Sequence, residues 1–567
     1  MKHIAFAAAA MLVLAATGSA TERTSGKLQG QLAASVRTHE NVNVIIRFST
    51  PPNARLHAIA KRHGAQLLNE LSLINSAAYR MPSSQLSSLA QRREVISISL
   101  DQQVKAAMDV TAATVGAPTA WNNYGLTGKG VGVAVIDSGV ATNSDLIDNT
   151  GKSHVVYSTF TRSDTTTDDL AGHGTHVAGI IAGDATNSTG SLYTRSFKGI
   201  APGANIINIA VLDRYNQGTD SNVIAGIQKA VALKSTYNIR IINLSLGRPV
   251  SQSYKTDPLC QAVEAAWKAG IIVVTAAGNE GRNNSAGTQG YGTITAPGND
   301  PYVITVGAMK TKGTTGRSDD TIASYSSKGP TLFDHVVKPD LVAPGNQVVS
   351  LLALGGRMRN AYPNNGVLLQ YFQQNVTATN QRSDSYYWLS GTSMATPVVS
   401  GAAALLLQQN PNLTPDQVKA RLMKTAYKTF PSFSIATDTT TGQTYQSEYD
   451  IFTVGAGYVD IAAALANTDL ATLPAVSPTV SYNAANGTVS LVTGSSVAWG
   501  TNVAWGTNVV WGSNVFVSGS NVVWGSNVAW GTSTTQGFNV VWGSNVVWGS
   551  SNPIAAESDA LAIGGEN

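Results

Sequence analysis

Five runs of apolar, largely β-branched residues set the character of this chain: GVGVAVID (130–137), ANIINIAVL (204–212), IRIINLSL (239–246), GIIVVTAAG (270–278) and YVITVGAM (302–309). They are apolar almost throughout rather than alternating, so each reads as a strand covered on both faces. Helical stretches lie between them, such as SNVIAGIQKAVALKS (221–235) and DPLCQAVEAAWKAG (257–270). Strands that alternate with helices are joined by right-handed crossovers into a parallel sheet with helices on both faces. The predicted class is therefore α/β, and in such sheets function gathers at the carboxyl ends of the strands.

The 567 residues allow roughly three to four domains. With 43% hydrophobic and 12% charged residues the chain has the makings of large cores rather than of disorder. A net charge of +4, without any long Lys/Arg block, gives no basis for a nucleic-acid partner. MKHIAFAAAAMLVLAATGSA has a basic start at Lys2, an apolar stretch from Ile4 to about Ala16 and small residues up to Ala20. This is the layout of a signal peptide over 1–20, and the apolar run is short for a membrane span. A secreted or cell-surface chain with no membrane partner after signal removal is expected. Cys260 is the single cysteine, which excludes an internal disulfide, and its helical context reads as a buried structural thiol.

Residues 21–105 read as a separate small α+β domain of βαββαβ pattern. Its markers are VNVIIRF (42–48), ARLHAIAKRHG (54–64), SLINSAAYRM (72–81), SSQLSSLAQRR (83–93) and EVISISLD (94–101). The α/β domain follows over 106–465. A segment at 353–387 reads as a long insertion loop that could border a cleft. An Ala/Thr/Pro/Ser-rich linker covers 466–490, then a repeat of the type WGSNVV runs over 491–552 and a tail over 553–567. Seven of the ten tryptophans fall in the repeat, mostly six residues apart, and within each unbroken run of the repeat alternation puts Val, Trp and Thr/Ser on one face of β structure. It has no acidic ligand set for calcium. Self-packing or surface association is expected of it, with carbohydrate binding by exposed tryptophans as the alternative.

Three positions carry candidate chemistry. Asp137 ends the strand VAVID, His173 opens the apolar helix of GHGTHVAG, and Ser393 precedes the long apolar helix of SGTSMATPVVSGAAALLL. A serine hydroxyl needs a base to take its proton, a histidine serves as that base near neutral pH, and a carboxylate holds the imidazole. The pair His173 and His176 could instead be read as metal ligands. That reading wants a third ligand and a glutamate nearby, which His-Gly-Thr-His lacks. His176 is expected to be structural.

DSGV (137–140), GHGTHVAG (172–179) and GTSMATPVVSG (391–401) resemble the three signature motifs of the subtilisin family of serine peptidases. GIAPGANI (199–206), INLSLG (242–247) and AAGNEG (276–281) resemble that family too, so the resemblance covers about 125–465. It implies a subtilisin-like sheet and a secreted endopeptidase with Asp137 as orienting carboxylate, His173 as general base and Ser393 as nucleophile. It implies Asn279 as an oxyanion donor. It implies two backbone edges for an extended substrate, Asn216, Gln217 and Gly218 on one side and Leu244, Ser245, Leu246 and Gly247 on the other. Ala277, Gly278 and Thr295 would surround the pocket before the cleaved bond. Thr295 and Arg248 stand where well-known members often carry glycine, which puts a broad large-apolar preference in doubt.

The resemblance further implies that 21–105 is an inhibitory propeptide, an intramolecular partner cut off by self-processing near 104–108. No cofactor is required for the chemistry. Structural calcium is compatible with the resemblance, with the loop 186–199 as one place for it and no ligands assigned. Two other classes stay in view. One is a catalytically silent binding protein; the other is a serine-carboxyl peptidase with a glutamate base and an aspartate oxyanion group. His173 and Asn279 stand against the latter.

Overall fold

A computed structural model describes residues 41–100, 108–285, 288–438, 441–483, 488–492, 515–517, 520–522, 554–555 and 563–566. The expected signal peptide, nearly all of the expected cleavage region and most of the tryptophan repeat lie outside these residues. The chain divides into two compact units, Met1–Val104 and Lys105–Asn567.

The first unit is built as β1 (Asn41–Phe48), α1 (Ala54–Arg62), β2 (Gln66–Leu71), β3 (Ser76–Pro82), α2 (Leu86–Ala90) and β4 (Val95–Leu100). The strands form an antiparallel sheet in the order β2-β3-β1-β4. Val44, Ile46 and Phe48 alternate inward on β1 and meet Leu56, Ile59, Leu86 and Leu89 from the helices. The Asn53 side chain caps α1 by accepting from the Arg55 and Leu56 amides, a contribution of about 1 kcal/mol. The predicted βαββαβ order is present. The stretch QLLNEL of β2 gives no clear signal in the sequence because, as an outer strand, five of its six residues are exposed and it carries no apolar alternation.

In the second unit the five predicted runs become β5 (Gly132–Asp137), β7 (Asn205–Ala210), β9 (Ile239–Leu244), β10 (Ile272–Ala276) and β11 (Ile304–Lys310). The sheet adds β6 (Val155–Phe160), β12 (Thr321–Ile322) and β13 (Leu341–Pro344), while β8 (Gln217–Gly218) stands outside it. The order is β12-β11-β10-β9-β5-β7-β6, with β13 also beside β11. Every pairing in this sheet is parallel except β11 with β12. β5, β10 and β11 are buried along their whole length, in keeping with their largely apolar sequences.

The helices that carry or brace the predicted site residues are α3 (His173–Ala182), α4 (Asp220–Ala232), α5 (Pro258–Lys268) and α6 (Thr392–Gln409). α6 lies against β9, β10, β11 and β13 and packs on α3. It is buried from Thr392 through Leu407, and small residues permit that closeness. A Cβ placed at Gly401 would stand 2.5 Å from the Cβ of Ile200.

The segment 353–387, expected as a loop, is substantially folded. β14 (Val348–Leu351), β15 (Gly366–Leu368) and β16 (Arg382–Leu389) form a sheet in the order β14-β16-β15. Phe372 and Tyr386 join Phe197 in an aromatic cluster. Its first part runs beside the start of α3, where Arg357 and Met358 donate their amides to the Leu170 and Ala171 carbonyls at 2.9 Å.

Within the stretch expected as a linker, Ala471, Ala475 and Val480 are buried against the body. Ser477 joins a fully polar cluster there. Asp340 accepts from Ser477 (2.5 Å) and Lys338 (2.7 Å) and lies 3.3 Å from Lys419. Lys419 also donates to the Pro301, Tyr302 and Val303 carbonyls.

Candidate active site

The predicted residues converge because they follow the carboxyl ends of neighbouring strands. Asp137 is the last residue of β5, Ser245–Gly247 follow β9, and Ala277–Asn279 follow β10. His173 is the first residue of α3 and Ser393 the second of α6, two helices packed on each other.

Asp137 and His173 meet directly. Oδ1 of Asp137 lies 2.8 Å from Nδ1 of His173, and both side chains are fully buried. The same oxygen accepts the Ser138 amide at 2.7 Å, which fixes the carboxylate plane. A support with no sequence signal of its own holds the start of α3. The Asp169 carboxylate accepts from the Gly172 amide (2.7 Å), the Thr175 amide (2.8 Å) and the Ser138 hydroxyl (2.8 Å). A carboxylate on the free N–H groups of a first turn stabilises that helix end. Ser138 in turn accepts the Gly174 amide at 2.9 Å. A Cβ at Gly174 would run into Gly139 and stand 3.2 Å from Asp137. Gly174 therefore allows the helix to approach the strand end closely.

His176 is separate. It is fully buried one turn further on, and its Nε2 lies 3.2 Å from the Val348 carbonyl and 3.1 Å from that of Tyr387. It ties α3 to β14 and β16. Burial first, and the nearby His173 second, push its pKa down to about 3, so it is neutral at ordinary pH.

At Ser393 the chain turns into α6 after Gly391, at φ 146, a conformation suited to glycine. Pro397 sits four residues on and has no N–H, so the Ser393 carbonyl loses its helical donor. Ser245 replaces it, its hydroxyl donating to that carbonyl at 2.8 Å. The Ser393 hydroxyl donates back to the Ser245 carbonyl at 3.0 Å. Asn243 donates to the Ser245 hydroxyl, and Ser400 donates to Asn243. This buried chain ties β9 to α6 through polar residues of INLSLG and GTSMATPVVSG, two stretches whose pairing nothing local announces.

Asn279 reaches the same helix start. Its side-chain oxygen accepts from the Thr392 amide at 2.9 Å and from the Thr392 hydroxyl at 3.1 Å. That hydroxyl also receives the Gly278 amide at 3.2 Å. Thr392 thus fixes the direction of the Asn279 amide next to Ser393.

Ala277, Gly278, Gly247 and Thr295 come together. The Thr295 amide donates to the Ala277 carbonyl at 3.0 Å. Cβ atoms at Gly247 and Gly278 would stand 2.5 Å and 2.7 Å from the Thr295 side chain, so Thr295 fills the space between the two glycines. Leu244 and Leu246 are buried in the core, so the Leu244–Gly247 edge offers backbone rather than side chains. Arg248 turns away into a clamp. It donates to both oxygens of Asp220, at the start of α4, and of Asp257, the N-cap of α5. On the other edge, Asn216 is buried at φ 58 and meets the Met358 sulfur at 3.7 Å. The insertion therefore borders this edge as well as α3. β8 pairs antiparallel with residues Ile554–Ala555.

The loop 186–199, named above as one place for structural calcium, is reached by side-chain carboxylates. Of the carboxylates that reach it, Asp184 accepts from the Thr186 amide (2.9 Å), and Asp145 accepts from the Asn187 amide (2.7 Å) and the Tyr386 hydroxyl (2.5 Å). These carboxylate oxygens are thus met by N–H and O–H donors. Burial pushes the Asp145 carboxyl up to about 6. Cys260 is buried, with its thiol 3.2 Å from the Asn299 side-chain oxygen, and burial pushes its pKa up.

A family model described as the subtilase family matches residues 128–457. Serine protease AprX of Bacillus subtilis (strain 168) is 36% identical over 400 residues, 68% of this chain and 83% of that protein. Subtilisin E of the same strain is 32% identical over 384 residues, 67% of this chain and 82% of that protein. A solved cold adapted subtilisin-like serine proteinase is 29% identical and covers 57% of this chain and 89% of its own, with a TM-score of 0.38. With a parallel sheet whose strand ends gather these residues, and relatives of this extent, the chain belongs to the subtilase family and is a subtilisin-like serine endopeptidase.

Proposed function

We propose that Asp137, His173 and Ser393 are the catalytic triad of a secreted endopeptidase made as a zymogen. The observation that carries this reading is the 2.8 Å contact between Asp137 and the Nδ1 of His173 in a fully buried setting. Asp137 holds Nδ1–H, leaving Nε2 as the basic nitrogen. Ser393 Oγ attacks the peptide carbonyl while His173 takes its proton. The C–N bond breaks as His173 returns that proton to the leaving amine, giving an acyl-enzyme. Water, deprotonated by the same imidazole, then releases the acid and restores Ser393. The Asn279 amide and the Ser393 backbone N–H donate to the oxyanion.

The substrate is an extended protein segment held by backbone pairing between Asn216–Gly218 and Leu244–Gly247, a mode that tolerates many sequences. Thr295 limits the size of the side chain accepted before the cleaved bond. Residues 21–105 act as an intramolecular inhibitor and folding aid, and their release is autocatalytic. Slow folding of a sheet rich in non-local parallel pairings gives such an aid a physical purpose. The residues 1–20 direct export. No cofactor is required for the chemistry, structural calcium is compatible with this reading, and the tryptophan repeat serves surface or carbohydrate association.

A serine-reactive fluorophosphonate probe tests the site. Labelling of Ser393 that disappears in His173→Ala is expected. The Ser393→Ala precursor should stay uncut in isolation; its normal processing would overturn autocatalysis.

A further inference from the structure

Beyond the tryptophan repeat, Ile554–Ala555 and residues 563–566 lie against the enzyme body. Ile554 and Ala555 pair antiparallel with Gly218 and Gln217, the two residues of β8. Further on, the Ile563 carbonyl accepts from Asn365 at 2.7 Å. Glu566 is held through both its backbone and its side chain. Its amide donates to the Asn346 side-chain oxygen and its carbonyl accepts the Asn346 side-chain amide, both at 2.8 Å. Its carboxylate accepts from Arg282 (2.7 Å), the Ser324 amide (2.9 Å) and the Ser324 hydroxyl, with Lys310 at 3.6 Å.

Glu566 is only 5% exposed. A carboxylate is buried to that extent only when its partners replace water. Here two cations from separate segments converge on one anion, so the site is built for a negative side chain. Gly565, at φ 59, lies against Ser390, three residues before Ser393.

We infer that Ile554–Ala555 and residues 563–566 are the two ends of an intramolecular strap: Glu566 anchors it in the Arg282–Lys310–Ser324–Asn346 site while Ile554–Ala555 occupy the Gln217–Gly218 edge in place of substrate. This rests on the reading of that edge as a substrate edge. A strand pairs with one partner on a given side, so the strap and an extended substrate exclude each other there. The strap competes only with substrates long enough to reach β8.

The test compares the full chain, the full chain carrying Glu566→Ala, and a chain ending at Asn552. Two peptide substrates are used, one with four residues before the cleaved bond and one with a single blocked residue there. Loss of the anchor or of the strap is expected to lower KM for the long substrate several-fold, leaving kcat and the short substrate unchanged. A synthetic peptide of residues 551–567 should restore the higher KM competitively in the shortened chain. Amide exchange at Gly218, the residue opposite Ile554, should quicken in Glu566→Ala, a readout that does not depend on turnover.

An unchanged long-substrate KM, or an equal change for both substrates, overturns the strap. Fluorophosphonate labelling in the same samples separates the two layers. Labelled Ser393 with unchanged KM sinks the strap alone, whereas absent labelling sinks the site reading and the strap with it. If the shortened chain does not fold, Glu566→Ala decides.

Discussion

Ser245 and Ser393 hold each other by two reciprocal hydrogen bonds, each hydroxyl donating to the other's backbone carbonyl, at 2.8 and 3.0 Å. One bond is the counterpart of Pro397, which cannot donate to the Ser393 carbonyl. The other rests the proposed nucleophile on the proposed substrate edge, from which its proton must swing to His173. Ser245→Ala should leave a buried carbonyl unpaired, costing about 1–3 kcal/mol, and should also lower kcat. Denaturant midpoints and steady-state kinetics measure both. In a Pro397→Ala background, where a helical N–H is restored, the stability loss should shrink; equal losses in both backgrounds would sever this link.

Asn279→Ala should lower turnover by about 10²–10³-fold, a magnitude carried over from subtilisin itself. KM should change little, because the donor acts on charge that develops in the transition state. A matching fall in Thr392→Val would show that orientation of the amide, fixed by Thr392, is part of the effect.

Thr295→Gly should open the space between Gly247 and Gly278. The ratio of kcat/KM for a phenylalanine substrate to that for an alanine substrate should rise, by about 10-fold or more if two or three carbon atoms of pocket volume are gained. A ratio unmoved by the substitution would remove Thr295 from the specificity site.

His176 makes stability depend on pH in a defined direction. Its folded pKa, about 3, lies below the ordinary value near 6.5. Between these values the unfolded chain binds the extra proton, so stability is full above about pH 6.5 and falls as pH drops, by up to about 1.4 kcal/mol per unit. His176→Gln should flatten urea-midpoint profiles between pH 7 and 5 and leave catalysis near neutrality largely intact.

Asp340→Asn removes the anion shared by Lys338 and Lys419. Breaking a buried pair of this kind costs about 3–5 kcal/mol. A far smaller loss by denaturant unfolding would show that the carbonyls around Lys419 hold it without Asp340.

The strands and helices are legible in the sequence where burial imposes a simple pattern. β5 and β10 are near-continuous apolar runs because both faces are covered, and α5 shows its cap, Asp257, in the sequence. β6 and β13 give no such signal, the first because it is only half-buried, the second because it is four residues long. Asp137, His173, Ser393 and Asn279 stand out through motifs. Asp169 does not, and Asn243, Thr392 and Ser400 lie inside quoted motifs that assign them no role, because their roles arise from contacts made across the fold. Ser477 lies in a compositional linker, and nothing local to it signals Lys419 and Asp340. Arg248 has the sequence position of a pocket residue, yet its charge is spent between two helix starts.

α6 is buried over sixteen consecutive residues, beginning at Thr392 and Ser393. A peptidase is exposed to copies of itself, and any segment that frays is a cleavage site. The helix that carries Ser393 has no frayable face along this stretch, so its amides should exchange only when the whole unit opens. Activity and fold should then disappear together on heating, as a single decay whose rate is the rate of global unfolding.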